Sequence, residues 1–308
     1  MASLRLLLQL QQQRNWYINR LAPAMSIRVL KELKSVNSNS KKLVFALQDD
    51  TQIESVILPH PFDESLFGIC VSVQVGCAVG CTFCQTGKDG LTRNLSSDEI
   101  IYQFEFAQQQ QYPKNIRTVV FMGMGDSAHN IDNVLTAVDE FANRGLDPNN
   151  IIVSSVGTPK FFDKLESSAV KPRLAISLHS AVDATRKSII PMSNLMPIKD
   201  LIKRATDYAR IDRTVMFQWT LLAGINDSES EIDALVNLLA PFKDRAVIQI
   251  IPWNYVEGTP HTPSPEFRIL EILDILGKLG FQHSRRYSHG KDIGAACGQL
   301  SKLSKNTI

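Results

Sequence analysis

Apolar residues follow two rhythms along this chain, and the change of rhythm comes near residue 60. Over residues 42–47 and again over 52–58, apolar positions alternate or run together on either side of Gln48-Asp49-Asp50, which predicts a short β-hairpin. Pro59 and Pro61 then interrupt the chain. From Ile69 onward, period-two runs take turns with stretches of helical period. Strands are predicted at residues 69–75, 117–122, 150–155, 173–178, 214–222 and 246–251. Helices are predicted at 98–110, 131–143, 198–210, 228–239 and 266–279. The first of these opens on Ser96-x-x-Glu99, a capping box, and two others stop at Gly145 and Gly280. Strands alternating with helices imply an α/β protein with a parallel sheet and right-handed crossovers. The expected architecture is a partial (β/α)6 TIM-like barrel over residues 61–292. A small N-terminal β-hairpin extension (1–60) precedes it and a C-terminal segment (293–308) follows it.

The two faces of the predicted strands differ in kind. Ile69, Val71, Val73 and Val75 alternate with Cys70, Ser72, Gln74 and Gly76, and Leu174, Ile176 and Leu178 alternate with Arg173, Ala175, Ser177 and His179. Val215, Phe217 and Trp219 likewise oppose Met216, Gln218 and Thr220. One face suits packing under helices. The other is too polar for a dry core and is expected to line a lumen. In barrels of this type chemistry sits at the carboxyl ends of the strands, so these ends are where reactive residues are sought.

With 44% hydrophobic residues, the chain of 308 residues can bury a barrel-sized core. No apolar run approaches the roughly 20 residues that cross a bilayer, and residues 4–10 are too short and too Gln-flanked for a secretory core, so a cytoplasmic protein with no membrane partner is expected, as a monomer. A net charge of +2 excludes a general polyanion binder. The charge is uneven, however. Arg5, Arg14, Arg20, Arg28 and Lys31 precede the first acid, Glu32, a start that suits a solvated amphipathic helix, a phosphate-contacting arm or a transit-like leader.

Five cysteines sharpen the picture, because three of them fall in Gly76-Cys-Ala-Val-Gly-Cys-Thr-Phe-Cys-Gln-Thr-Gly87. Zinc asks for four Cys or His ligands, usually as spaced pairs, and no His or fourth Cys is near in sequence. An odd, sparse cysteine count does not make a disulfide framework. Cys77, Cys81 and Cys84 can instead hold three irons of a 4Fe-4S cluster and leave the fourth open. The loop resembles the signature of radical S-adenosylmethionine enzymes, in which the open iron takes the amino and carboxylate groups of S-adenosylmethionine. An electron from the cluster then splits that cofactor to a 5′-deoxyadenosyl radical.

Further motifs narrow the resemblance. Cys70-Val-Ser-Val-Gln-Val-Gly-Cys77, Phe121-Met-Gly-Met-Gly-Asp126, Val153-Ser-Ser-Val-Gly157, Ser177-Leu178-His179, Ile251-Pro-Trp-Asn254 and Asp292-Ile-Gly-Ala-Ala-Cys-Gly-Gln-Leu300 follow in this order. Together, over residues 52–300, the chain resembles the radical RNA methyltransferases that methylate adenine at carbon 2 in ribosomal and transfer RNA. Relatives that act on carbon 8 share the pattern. Carbon 2 is electron-poor and cannot attack a sulfonium methyl directly, so radical chemistry is needed. The resemblance implies that Cys297 takes a methyl from one S-adenosylmethionine and that a second is split to activate it. Cys70 then resolves the protein–RNA adduct and leaves a transient Cys70–Cys297 disulfide. It assigns Glu54 to proton removal, and Gly125, Asp126, Ser154, Ser177, Leu178, His179 and Asn254 to S-adenosylmethionine. A one-electron reductant such as flavodoxin or ferredoxin is the implied partner beside the RNA.

Taken as bare residues, Cys70 is equally a core strand residue, Cys297 a small buried one, Glu54 a hairpin carboxylate and His179 a lumen hydrogen-bonding group. Seven extended residues would also carry Cys70 roughly 20 Å from Cys77, too far for a fourth cluster ligand. Where the family reads Gly-Met-Gly-Glu-Pro, this chain has Asp126-Ser127, one methylene shorter. The stretch ahead of Met25 is also short for the helical RNA-binding domain of the ribosomal enzymes, which leaves RNA contact to the basic start, Lys41, Lys42, Arg285, Arg286, His289 and Lys291. A radical enzyme with another substrate and a non-catalytic iron–sulfur RNA-binding protein are the alternatives.

Overall fold

The computed structural model describes residues 26–192, 196–209 and 213–301. Twelve strands are described: β1 (Arg28–Lys34), β2 (Lys41–Ala46), β3 (Gln52–Pro59), β4 (Leu66–Cys70), β5 (Gln74–Val75), β6 (Arg93–Asn94), β7 (Asn115–Phe121), β8 (Ile151–Ser155), β9 (Arg173–Ser177), β10 (Val215–Leu221), β11 (Ala246–Pro252) and β12 (Gln282–Arg285). Ten of them form one sheet in the order β1-β2-β3-β4-β7-β8-β9-β10-β11-β12. From β4 to β12 every pairing is parallel, while β1, β2 and β3 pair antiparallel and join the rest through β3 and β4. The α/β partial barrel is therefore as expected, with β12 added at one end. The hairpin is not a separate unit, since its backbone bonds run straight into the barrel sheet across the boundary expected at residue 60.

Helices form where the period predicts them. Ser96 and Glu99 close a capping box on the helix Ser97–Gln111, and Ile131–Asn143, Ile198–Tyr208, Glu229–Leu239 and Glu266–Lys278 lie within a few residues of expectation. Shorter helices at Gln85–Asp89, Pro159–Ser167 and Asp183–Ile189 were not expected. Apolar strand faces meet these helices: Ile69, Leu174, Ile176, Val215, Phe217 and Trp219 all sit in one core with, among others, Val134, Phe141, Leu201 and Leu235.

Two departures come from polar strands. β1 replaces the end of the basic start; it is an edge strand whose side chains are mostly exposed, so its sequence carries no apolar alternation to betray it. Of the basic start, residues 1–25 lie outside the described residues. β12 is Gln-His-Ser-Arg, equally silent in its pattern. A third departure matters for chemistry. The strand expected over 69–75 ends at Cys70, and Gln74 and Val75 pair instead with β6 in a separate two-stranded ribbon.

Candidate active site

Past Cys70 the chain leaves the main sheet, pairs with β6 at Gln74 and Val75, and bends at Gly76. Gly76 has φ +81, and a Cβ there would lie 1.7 Å from the Gly90 oxygen, so only glycine admits this bend. The cysteine loop then folds on itself: Cys77 N donates to Gly90 O (3.2 Å), Cys84 N to Cys81 O (3.2 Å) and Thr82 N to Ile189 O (3.0 Å). Gly87 in the following short helix approaches so closely that a Cβ would sit 2.8 Å from the Cys81 backbone. Beneath the loop lies an apolar cluster of its own, containing Val79, Phe83, Ile189, Ile190 and Trp253, with all three cysteines packed against it. Trp253 Nε1 donates to Phe83 O at 2.9 Å and ties that floor to the loop.

All three thiols face one cavity. Burial first, then Asp126 and Cys84, push the Cys77 thiol up to about 12. Burial and the neighbouring Cys84 and Cys77 drive Cys81 well above its ordinary value, and burial raises Cys84 as well. A pocket that so disfavours bare thiolates suits them when iron neutralises their charge. Among the described residues no group of three His, Cys, Asp or Glu is arranged to hold a single ion; a four-iron cluster asks something different, because each thiolate takes its own iron.

Cys70 and Cys297 line the same cavity, and both are free thiols. Burial pushes the Cys70 thiol up to about 12; nearby Cys297 adds to this and Arg286 opposes it. Cys297 also acts on Cys84. It therefore lies within electrostatic reach of one cluster cysteine and of Cys70. Its backbone is held by Asn254 Nδ2, which donates to Cys297 O (3.0 Å), and next to it by Gln85 N, which donates to Gly298 O (2.7 Å).

The polar residues expected to meet cofactor sort unevenly. Gly125, Asp126, Ser154, Ser177, His179 and Asn254 line the cavity. Leu178 does not: its side chain is in the core, and its backbone N–H donates to Gln218 O at 3.1 Å. Gly125 has φ +94, with a would-be Cβ only 2.5 Å from the Gln74 side chain, so the chain passes as close as it can. Asp126 is taken up by the protein itself. Its Oδ1 accepts from Ala128 N (2.9 Å) and Ser155 Oγ (2.7 Å), and its Oδ2 from Val156 N (2.8 Å). The shorter carboxylate thus fastens the ends of β7 and β8 together. Burial raises its pKa while these donors oppose the rise.

His179 is held in one tautomer. The Thr220 N–H donates to its Nδ1 at 3.0 Å, so Nε2 carries the hydrogen and the ring is a donor. Its backbone is left-handed (φ +59), fastened by Asn226 Nδ2 to His179 O (2.6 Å), and Phe83 meets the ring edge-on at 5.0 Å. Burial, then Arg186, lowers its pKa to about 3, so the imidazole is neutral at ordinary pH.

Asn254 supplies an independent sign that a ligand belongs here. Its Oδ1 is buried with no hydrogen-bond partner among the described residues, beside an Nδ2 already used on Cys297. An orphaned acceptor facing a cavity fits the ammonium or amino hydrogens of a bound cofactor. Three thiols for iron and this acceptor set fit a 4Fe-4S cluster and S-adenosylmethionine.

Arg186 was missed by sequence reasoning. It is 1% exposed, donating to the carbonyls of Leu178 (3.1 Å), Val156 (2.9 Å) and Ser177 (3.3 Å), and burial lowers its pKa to about 10. It ties the ends of β8 and β9 together below Cys81. An Arg in a polar helical stretch reads as surface, and no local signal marks it. Gln218 was visible as a lumen residue; it accepts from Ser154 Oγ (3.0 Å) and donates to Gln249 Oε1 (2.9 Å).

Glu54 stands apart from the cavity, 1% exposed, with Oε1 3.1 Å from Lys42 Nζ and Oε2 accepting from Ser301 N (3.1 Å). Burial raises its pKa and Lys42 opposes the rise. Lys42 is accordingly buried and ion-paired, not a phosphate contact. Arg285 is spent on Glu266, whereas Arg286 and His289 reach the cavity with the exposed ring of Tyr287 between them.

Residues 71–238 match the Radical SAM superfamily. A probable RNA methyltransferase of Pseudomonas paraeruginosa is 39% identical over 285 residues, 89% of this chain and 79% of that protein. Another, from Leptothrix cholodnii, is 40% identical over 263 residues, 85% of this chain and 73% of that protein. A radical SAM methyltransferase from Sphaerobacter thermophilus superposes with a TM-score of 0.85 at 32% identity, over 92% of this chain and 84% of that one. Streptococcus suis SuiB bound to S-adenosylmethionine shares the fold alone, with a TM-score of 0.52 at 12% identity. No described helix is long and apolar enough to cross a membrane.

Proposed function

The chain belongs to the radical SAM superfamily and, within it, to the RNA methyltransferases, which use a 4Fe-4S cluster and S-adenosylmethionine; from that premise we propose that it methylates carbon 2 of an adenine in ribosomal or transfer RNA through a methyl carried on Cys297. One observation carries the proposal: Cys70 and Cys297 open into the same cavity as the three-cysteine loop. An iron–sulfur protein that merely bound RNA, or a radical enzyme that needed no methyl carrier, has no use for a second pair of thiols there.

When bound, the cluster and S-adenosylmethionine supply the methyl group and one-electron cleavage chemistry. Everything else falls to the chain. Cys77, Cys81 and Cys84 would hold the cluster over its apolar floor, which keeps water away. His179 Nε2–H and the free Asn254 Oδ1 offer one donor and one acceptor to the cofactor. Cys297 receives the methyl as a thioether. Loss of one hydrogen atom from that methyl to the cofactor-derived radical lets its carbon bond carbon 2 of the base, which sheds its own hydrogen as a proton and one electron to the oxidised cluster; Cys70 then attacks the Cys297 sulfur, so that the S–S bond forms, the S–CH2 bond to the base breaks, and its electron pair and a proton complete the methyl on the base. Cys70 must act as a thiolate, and Arg286 is the charge that opposes burial in favour of that form. A reductant then reopens the disulfide, and a flavodoxin or ferredoxin supplies the cluster electron. The base must arrive unstacked, since a duplex hides carbon 2; Arg286, His289 and the exposed Tyr287 flank its entry.

Nucleoside mass spectrometry of RNA from cells with and without the gene tests this, with peptide mass spectrometry of purified Cys297. Expected are 2-methyladenosine that disappears with the gene and a methyl on Cys297. An 8-methyl product would move the assignment to carbon 8, and unchanged methylation with an unmodified Cys297 would refute it.

A further inference from the structure

Cys297 lies in an irregular segment, and irregular segments do not hold a sulfur in place by themselves. Asn254 and Gln85 hold the backbone at Cys297 and Gly298, and the N-terminal meander holds the two flanks of the segment. Lys42 on β2 and Glu54 on β3 are diagonal neighbours on one face of the hairpin, since Lys42 pairs with Val56 and Glu54 with Val44. Their charges meet at 3.1 Å with side chains only 9% and 2% exposed. Each then reaches one shoulder of the cysteine segment. Lys42 Nζ donates to Gly294 O (3.3 Å), ahead of Cys297, and Glu54 Oε2 accepts from Ser301 N (3.1 Å), beyond it. The seam continues on β1 and its turn: Ser35 Oγ and Val36 N donate to Asp292 at 2.7 and 3.0 Å, and Gly290 N donates to Ser38 Oγ at 2.9 Å.

A buried ion pair is a poor device for stability alone, because an apolar pair of like volume serves as well or better. Here the pair does something an apolar pair cannot. A carbonyl needs a donor and an amide needs an acceptor, and the two charges supply one of each while neutralising each other.

We propose that Lys42 and Glu54 are positioning residues that set the register of the 290–301 segment and thereby hold the Cys297 sulfur in the cavity that Cys84 and Cys70 also line. This rests on Cys297 being the methyl carrier, and it gives Glu54 a task that needs no contact with the base. It also gives the hairpin a function: the meander is the anvil on which the thiol segment lies.

The test uses cluster-loaded full-length protein, wild type against Lys42→Met, Glu54→Gln and the double variant Lys42→Met/Glu54→Gln. The double variant leaves no lone buried charge, so it keeps its fold where Lys42→Met alone is at risk. Two quantities are read under anaerobic conditions: amide hydrogen exchange across residues 290–301, and the equilibrium constant for two thiols plus glutathione disulfide giving the Cys70–Cys297 disulfide plus two glutathiones. In the double variant both the protection of this segment and the equilibrium constant are expected to fall roughly ten-fold, the latter about 30 mV, while protection in β8 to β11 is unchanged. Glu54→Gln, which keeps the Lys42 donor to Gly294 O that the double variant lacks, is expected to fall between. Unchanged protection and an unchanged constant in a folded double variant overturn the proposal, as does a loss of protection spread evenly over the barrel. A wild type in which Cys70 and Cys297 never pair refutes the thiol relay instead, and the exchange measurement still decides the clamp.

Discussion

His179 makes the fold acid-sensitive by an amount the structure sets. Folded, its ring stays neutral down to about pH 3; unfolded, it takes a proton near its ordinary value of 6.5. Between those values the unfolded chain binds more protons, so stability falls as pH falls. From pH 7.5 to 5.0 the two titrations predict a loss of about 2 kcal/mol from this group, on the way to just under ~5 kcal/mol once both values are passed. His179→Asn removes the titration while keeping the local structure: its Oδ1 can take the Thr220 N–H in place of Nδ1, and Asn tolerates the left-handed φ of +59. Urea unfolding of cluster-free protein at both pH values, wild type beside His179→Asn, measures the difference. The variant is expected to lose about 2 kcal/mol less than wild type over this interval. Equal losses in the two proteins, or an imidazole seen by NMR to titrate above pH 6, would show that the ring is not held as a neutral donor.

Asn254→Ala removes the unpartnered Oδ1 and should weaken S-adenosylmethionine binding to the cluster-loaded protein about ten-fold by calorimetry, the worth of one buried hydrogen bond; unchanged affinity would mean that this acceptor meets no cofactor. Arg186→Met strands the carbonyls of Leu178, Val156 and Ser177, and urea unfolding should show a loss on the order of 3 kcal/mol or more.

The cysteine loop, the alternating strands and the long helices were all legible along the chain, because each is a local pattern: thiolate spacing, period two, period 3.6. The polar lumen was legible too, since Ser177, His179, Gln218 and Thr220 do face one cavity. What stayed hidden was whatever depends on partners distant in sequence. Nothing near Glu54 foretells its pairing with Lys42 and Ser301, and nothing near Arg186 foretells three carbonyls from two strand ends. β1 and β12 escaped because an edge strand needs backbone partners more than apolar side chains. The meeting of Cys70 with Cys297 was implied by family resemblance alone; only the tertiary structure brings the end of β4 and the 290–301 segment to one cavity. Local chemistry is written residue by residue, whereas the pairing of groups more than two hundred residues apart is decided when the sheet assembles and leaves each buried charge one place to find its counterpart.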